Sequence, residues 1–258
     1  MPPHYIKTKE VIPIETIFKR LEKKFILNKH QLTSFKKLIN NHMQADAFGH
    51  YNVLNIYYDT PNWDIAKLQL EKPIYREKLR MRCYNSNNKN SDMFLELKKK
   101  YKGVSYKRRT YISDYANSTF TLNEKKQIDK EIDYYINTNQ VSERMFIGYS
   151  REAYAGIQDP NLRLTLDTNI CYRTHDLNFN DVTNGTKILA HDQTLLEVKI
   201  GGAFPLWLAK FLSENQLYAN SFSKFANSYL HMNQHNTKDT NNNDAISNEP
   251  TPLLYAVV

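Results

Sequence analysis

Apolar and polar residues alternate in eight stretches of the chain, which is the pattern of strands with one buried face. The predicted strands cover residues 17–27, 52–59, 74–84, 93–100, 104–113, 144–152, 162–173 and 194–200. The polar run 85–92 predicts a hairpin loop, and Lys102-Gly103 predicts a tight turn. Helices are predicted at 29–43 after Asn28 as a cap, at 122–139, at 205–217 with Pro205 in its first turn, and at 222–232. This order predicts an α+β fold in which eight mostly antiparallel strands form a barrel.

Charged residues repeat on one face of six of these strands. In 74–84, four cations occupy successive positions of one face, namely Arg76, Lys78, Arg80 and Arg82. The corresponding faces of the other five strands carry Arg20, Glu22 and Lys24; Glu96 and Lys98; Lys107 and Arg109; Arg163, Thr165 and Asp167; and Glu197 and Lys199. Each of the six strands therefore combines an apolar face with a face of mixed charge in which cations predominate.

Two architectures use such strands. In one, the apolar faces form a core and the charges face bulk water. In the other, the sheet closes into a barrel with a charged interior, and helices cover its apolar exterior. The repeated Glu-x-Lys pattern favours the closed barrel with a charged lumen, since unlike charges two residues apart on one face stabilise each other.

Composition narrows the class of partner. The 258 residues include 35 Lys and Arg against 27 Asp and Glu, a net charge of +8 that favours an anionic partner. The two cysteines are too few for a disulfide framework or a cysteine-rich zinc site. No apolar run is long enough for a signal peptide or a membrane span, so we expect a cytoplasmic protein. We expect one domain over 12–232, between a flexible N-terminus at 1–11 and a mostly disordered polar tail at 233–258.

A lumen that holds about ten cations needs counter-charge. Two like charges 4 Å apart repel by roughly 4 kcal/mol at an effective dielectric constant near 20. Polyphosphate chains would neutralise the cations, and a divalent metal would satisfy the few carboxylates. A triphosphate with Mg²⁺ or Mn²⁺ meets both requirements.

Eight segments of the chain, in order, resemble the catalytic domain of the VTC family of polyphosphate polymerases, within the triphosphate tunnel metalloenzyme superfamily. The segments are RLEKKFIL, YYDTP, YREKLRMRCY, FLELKKKYKGVSYKRR, YSREAY, LRLTLDTNICYR, LLEVKIGGAFPLWL and SFSKFANSYL, and they run from about Arg20 to Tyr229. The resemblance implies a closed eight-stranded tunnel whose basic residues bind ATP and the growing polyphosphate, with a Mn²⁺-type ion on a tunnel carboxylate.

The resemblance also implies residue roles. Arg80, Arg82, Lys98, Lys107 and Arg163 are expected to be catalytic. The expected substrate-binding residues are Arg20, Lys24, Lys78, Arg109, Arg151, Lys199 and Lys224. Glu197 matches the family's metal-binding glutamate, and Glu22 and Glu96 are further candidate ligands. Arg20 stands where the wider superfamily has the first glutamate of its Glu-x-Glu-x-Lys strand, which makes a two-metal hydrolase less favoured.

Three functions remain open at this stage. The first is transfer of the γ-phosphate of ATP onto polyphosphate, for which the acceptor phosphate supplies the nucleophilic oxygen. The second is a tripolyphosphatase or nucleoside triphosphatase of the same fold, in which Glu22 or Glu96 orients water. The third is a non-catalytic binder of polyphosphate or nucleic acid. Carboxylates on the basic faces argue against a specific nucleic-acid groove, and the sequence identifies no protein partner.

Overall fold

The computed structural model describes residues 21–84, 92–102, 104–112, 115–116, 119–120, 122, 126–181 and 184–239. The strands are β1 (Leu21–Leu27), β2 (Met43–Asp59), β3 (Tyr75–Tyr84), β4 (Met93–Tyr101), β5 (Val104–Ile112), β6 (Tyr115–Ala116), β7 (Thr119–Phe120), β8 (Ser142–Gly156), β9 (Arg163–Arg173), β10 (Thr186–Lys187) and β11 (Thr194–Ile200). The helices are α1 (Lys29–Ile39), α2 (Asp64–Glu71), α3 (Gln127–Asn139), α4 (Leu206–Glu214) and α5 (Lys224–Asp239). All eight predicted strands are present, together with the three short strands β6, β7 and β10, which were not predicted.

The eight long strands form one antiparallel sheet with the order β1-β11-β9-β8-β2-β3-β4-β5. In this order β1 and β5 are edges, so within the described residues hydrogen bonds do not close the sheet. The prediction of a large antiparallel sheet is confirmed, whereas the prediction of a closed barrel is not. Part of the β1 edge is covered by the segment before α5, where the Asn220 amide donates to the Lys24 carbonyl at 2.7 Å.

Helices cover the apolar face of the sheet, as predicted. Helices α1 and α4 place Phe35, Ile39 and Phe211 against the outward residues of β1, β9 and β11. Helix α3 lies against β5, where its Glu131 pairs with the outward Arg108, and α2 contacts β2, β3 and the later helix α5. The apolar core therefore lies between helices and sheet, which leaves the charged face of the strands on the other side.

The predicted helices differ from the observed ones mainly at their ends. Asn28 caps α1 with a full capping box, in which its side chain accepts from the Gln31 amide and the Gln31 side chain accepts from the Asn28 amide. Helix α2 was not predicted, because its capping carboxylate lies upstream: the buried Asp59 side chain accepts hydrogen bonds from the amides of Ile65 and Ala66. The last helix extends to Asp239, beyond the predicted end at residue 232.

Helix α5 packs on the inward face of the sheet rather than on the outside. The ring of Phe225 stacks on Tyr57 of β2 at a centroid distance of 4.5 Å. The ammonium group of Lys224 lies 4.4 Å from the ring of Tyr149 of β8. The first turns of α5 thus supply an apolar and a charged side chain to the same space that the charged strand faces enclose.

Candidate functional site

Arg80 and Arg82 of β3 are held by one buried carboxylate, that of Glu96 on β4. Arg80 donates from both Nε and Nη2 to Glu96 Oε2, at 2.9 and 2.6 Å, and Arg82 Nη1 lies 3.6 Å from the same oxygen. Burial raises the pKa of Glu96, but Arg80, Arg82 and Lys107 outweigh it and lower that pKa to about 2. Glu96 therefore stays ionised and orients the guanidinium groups before any ligand arrives.

Strand β2 supplies neutral partners to the same arginines. Arg80 Nη1 donates to the Tyr57 hydroxyl at 3.0 Å, and Arg82 Nε donates to Asn55 Oδ1 at 2.9 Å. Asn55 is itself oriented, because its amide nitrogen donates to the Ile147 carbonyl at 3.0 Å. Burial raises the pKa of Tyr57, but the cations Arg80, Lys78 and Arg82 lower it to about 7. The guanidinium planes are thus fixed from two sides.

Two lysines beside this cluster have no such partners. Lys78 and Lys98 are directly opposite each other on β3 and β4, and Lys107 of β5 is opposite Lys98. Neither Lys78 nor Lys98 forms a hydrogen bond or ion pair with any residue that the structure describes. Burial lowers the pKa of Lys78 to about 7, and the nearby charges of Lys98 and Arg80 act in the same direction. Opposed ammonium groups of this kind are stabilised when an anion binds between them.

The opposite side of the lumen has more carboxylates. Lys24 of β1 lies 3.1 Å from Glu22 and 3.9 Å from Glu197 of β11, and Lys199 lies 2.6 Å from the other oxygen of Glu197. Burial raises the pKa of Glu197, but Lys199 and Lys24 hold it well below its usual range. Burial and the Glu197 carboxylate raise the pKa of Glu22, but Lys24, Lys98 and Lys199 lower it below its usual value, so both carboxylates stay ionised.

A third cluster joins β8, β9 and α5. Asp167 is fully buried and accepts hydrogen bonds from Arg151 Nε and Nη2, at 2.7 and 2.8 Å, and from Lys224 Nζ at 2.6 Å. Burial raises the pKa of Asp167, but Lys224 and Arg151 lower it below the usual value. These hydrogen bonds engage both oxygens of the carboxylate, which positions two cations from different elements.

The charged faces of the long strands thus bring the clusters around Glu96, Glu197 and Asp167 to one side of the sheet. Residues 19–233 match the family model of the VTC domain. The chain belongs to the VTC domain family. No curated protein matches the chain.

Solved structures resemble this VTC domain distantly. The Pyrococcus horikoshii protein PH1819 is 16% identical, with a TM-score of 0.45 over 84% of this chain and 99% of that one. HpAC1 from Hippeastrum, described as an adenylyl cyclase candidate with a dominant triphosphatase activity, is 16% identical, with a TM-score of 0.46 over 82% and 95%. The Mimivirus capping enzyme triphosphatase is 9% identical, with a TM-score of 0.32 over 76% and 87%. Within the described residues, no helix is both long and apolar enough to cross a membrane.

Most residues predicted for the site lie on the charged face of this VTC domain. Hydrogen bonds and ion pairs join most of them into the three clusters around Glu96, Glu197 and Asp167, while Lys78 of β3 and Lys98 of β4 lie beside the Glu96 cluster. Arg109 contacts the ring of Phe94, and Arg163 is exposed at the start of β9, opposite Lys199. Arg20 lies outside the described residues.

Sequence reasoning missed four residues that organise the VTC domain site: Asn55, Tyr57, Tyr149 and Asp167. Asp167 was predicted on a charged face with Arg163 and Thr165, but it was given no role in the site. Asn55, Tyr57 and Tyr149 carry no charge, so the pattern of cations did not mark them.

The carboxylates of the VTC domain differ in their fitness for a metal. No cluster of three or more His, Cys, Asp or Glu side chains occurs among the described residues. Glu22 and Glu197 nevertheless face each other in ionised form, and Mg²⁺-type ions bind through one or two carboxylates together with substrate phosphates. Glu96 Oε2 is committed to Arg80, whereas the buried Oε1 forms no hydrogen bond within the described residues and has Lys107 at 3.6 Å.

Proposed function

We propose that this chain transfers the γ-phosphate of ATP onto a polyphosphate chain. The observation that carries the proposal is the unpaired lysine pair, Lys78 and Lys98, next to two arginines that Glu96 already orients. Phosphoryl transfer requires little covalent chemistry from a protein and depends on positioning and neutralisation of charge. The family membership of the chain supports a phosphoryl-handling enzyme of the tunnel fold.

One set of cations contacts the phosphoryl group that is transferred, and a second set contacts the other phosphates of the substrate. Arg80 and Arg82, with Lys98, Lys107 and Arg163, contact the oxygens that gain charge during transfer. Guanidinium groups suit this role, because their planar fork binds two oxygens at once. The remaining cations hold the other phosphates, and they are Lys24, Lys78, Arg109, Arg151, Lys199 and Lys224.

A divalent ion, Mn²⁺ or Mg²⁺, fits at Glu197 with Glu22 beside it. When bound there it would supply positive charge that neutralises the phosphates. Lys24 and Lys199 keep both carboxylates ionised, and the low pKa of Glu197 means that the ligand needs no deprotonation near neutral pH. Glu96 acts instead by orienting Arg80.

The acceptor distinguishes this activity from hydrolysis. A terminal phosphate of polyphosphate brings its own nucleophilic oxygen, so the protein needs no nucleophile. In a tripolyphosphatase or nucleoside triphosphatase, a carboxylate would orient water. Glu96 is engaged by three cations, so Glu22 is the carboxylate that remains for that role. The two activities share every other contact.

The experiment is incubation with ATP and Mn²⁺, followed by separation of long polyphosphate from free phosphate on a gel. Long polyphosphate supports the polymerase. Release of free phosphate alone would show that the protein is a triphosphatase instead. If ATP stays intact, the protein binds polyphosphate without catalysis.

The variant Glu197→Gln tests the metal site in the same assay. It removes one negative charge at the proposed metal ligand, so turnover with Mn²⁺ should be lost. Binding of inorganic tripolyphosphate in EDTA should be retained or become tighter, since the loss of an anion does not weaken an anion site. Unchanged turnover would remove Glu197 from the mechanism. The matched control is Glu214→Gln at the exposed end of α4, which should change neither quantity.

A further inference from the structure

A row of four aromatic rings continues the charged face beyond the arginines. Tyr51, Tyr84, Phe94 and Tyr111 come from the neighbouring strands β2, β3, β4 and β5. Successive ring centroids are 6.0, 6.4 and 5.8 Å apart, at interplanar angles of 63° to 69°. No aromatic row was predicted, because each strand contributes only one ring and the register between strands brings them together.

The row lies on the same side of the sheet as the phosphate-binding cations. Tyr84 follows Arg82 by two residues on β3, and Tyr111 follows Arg109 by two residues on β5. Side chains two residues apart on a strand point to the same face, about 7 Å apart. Phe94 is directly opposite Arg82 and Tyr111 is opposite Phe94, so the aromatic row lies one side-chain position beyond Arg80 and adjoins Arg82.

The arginines also contact these rings. The Arg82 guanidinium carbon lies 5.8 Å from the Tyr84 ring centroid, and that of Arg109 lies 4.7 Å from the Phe94 ring centroid. Tyr111, at the end of the row, keeps 52% of its surface exposed. The site thus changes from guanidinium groups to aromatic rings within one step along the strands, with an exposed ring at its far side.

We propose that this row binds the nucleobase of a nucleoside triphosphate whose phosphates lie at Arg80 and Arg82. The inference rests on the proposed function, since it places the phosphates at those arginines. The order of groups in a nucleoside triphosphate matches this arrangement: an anionic phosphate chain is followed by a ribose and then by a flat base. Every nucleobase has a π-face, so stacking on tyrosine and phenylalanine distinguishes a nucleotide from inorganic tripolyphosphate but discriminates weakly among bases.

The experiment compares the Kd of ATP with the Kd of inorganic tripolyphosphate by calorimetry, in EDTA to prevent turnover. The two ligands share three phosphates and differ in the nucleoside. The variant is Tyr111→Ala, whose ring is exposed and contributes little to the core. Tyr111→Phe keeps the ring. Tyr106→Ala is the matched control, because Tyr106 is on the same strand and 46% exposed but points to the opposite face.

We expect Tyr111→Ala to weaken ATP binding about tenfold and to leave tripolyphosphate binding unchanged. Tyr111→Phe and Tyr106→Ala should retain the wild-type affinity for both ligands. Phe94→Ala, in the middle of the row, should repeat the selective loss for ATP.

Four outcomes would overturn the inference. If wild-type protein binds ATP no more tightly than tripolyphosphate, the nucleoside contributes nothing. If Tyr111→Ala weakens both ligands equally, the ring supports the strand and not a base. If the wild type binds neither ligand, the proposed function fails, and the inference fails with it. Tight binding of tripolyphosphate with no effect of Tyr111→Ala on ATP leaves the proposed function intact and rejects only the base site.

Discussion

The two walls of the charged space balance their charge in different ways. The wall formed by β3, β4 and β5 presents Arg76, Lys78, Arg80, Arg82, Lys98, Lys100, Lys107 and Arg109 against Glu96 as its single carboxylate among the described residues. The wall formed by β1, β8, β9 and β11, with α5, presents Lys24, Arg151, Arg163, Lys199 and Lys224 against Glu22, Asp167 and Glu197. We call these the cationic wall and the mixed wall.

The difference shows where a substrate must supply charge. On the mixed wall, protein carboxylates already neutralise most cations, so the wall is stable on its own. On the cationic wall, Lys78 and Lys98 repel each other until an anion arrives. A substrate with several phosphates therefore gains most from the cationic wall, while the mixed wall fixes geometry and offers the carboxylates for a metal.

The largest expected effect is on the mixed wall. Asp167→Asn leaves Arg151 and Lys224 without their buried counter-charge, and we expect a loss of about 3–5 kcal/mol in the free energy of unfolding. Urea titration measures the change. The exposed Asp133 on α3 provides a control, since Asp133→Asn should change the stability by less than about 0.5 kcal/mol. A similar small effect at Asp167 would contradict the difference between the walls.

The next effect is on catalysis at the cationic wall. Arg80→Lys retains the charge but removes the planar fork held by Glu96 and Tyr57, so kcat should fall about 10²-fold with a smaller change in the Kd of ATP. Steady-state kinetics and calorimetry give the two quantities. Arg108→Lys is the control, because Arg108 is on the outward face of β5 and pairs with Glu131 of α3. A change in Kd alone would show that Arg80 binds substrate without a role in transfer.

Removal of the Lys78 ammonium group should have a smaller effect, which weakens ligand binding but increases stability. Lys78→Met removes an unpaired ammonium group, so tripolyphosphate binding should weaken about tenfold while the protein becomes about 1 kcal/mol more stable, or about 2–4 °C in Tm. The control Lys99→Met removes an outward lysine that pairs with Glu77 at 3.0 Å and should not increase stability. A destabilised Lys78→Met variant would mean that the cationic wall is already balanced.

The difference in stability between Lys78→Met and the wild type should depend on pH. The pKa of Lys78 is about 7 in the folded protein and near 10.5 when unfolded, so the unfolded chain binds more protons between these values. The contribution of Lys78 to stability is therefore unfavourable at pH 7 and becomes less so as the pH rises toward 10. The gap in Tm between Lys78→Met and the wild type should narrow over this range, which thermal unfolding at several pH values can measure.

The smallest expected effect is the uptake of protons by the protein when tripolyphosphate binds. Tyr57 and Lys78 both have a pKa of about 7, and bound phosphate favours the protonated form of each. When tripolyphosphate binds at pH 7.5, the protein should therefore take up a fraction of a proton from the buffer. Calorimetry in buffers of different ionisation enthalpy measures this uptake, and Lys78→Arg should reduce it. Proton release on binding would contradict the assignment.

Much of the fold followed from local patterns. Alternation identified all eight long strands, and the same alternation placed Arg80, Lys98 and Glu197 on charged faces, because side chains on a strand point to opposite sides with period two. Asn28 was predicted as the cap of α1 from its residue type, and the structure adds Gln31 as its capping-box partner. The predicted closed barrel is not confirmed, because pairing between the edge strands β1 and β5 depends on contacts between distant segments that alternation does not encode.

The sequence by itself determined which residues are charged, which face of each strand they occupy and which family the chain resembles. Only the tertiary structure decided which charges meet. It pairs Asp167 with Arg151 of the neighbouring strand and with Lys224 of a helix 57 residues away, and it leaves Lys78 opposite Lys98. Register and twist bring together side chains from strands that are far apart in the chain, and a pattern with period two carries no information on that register.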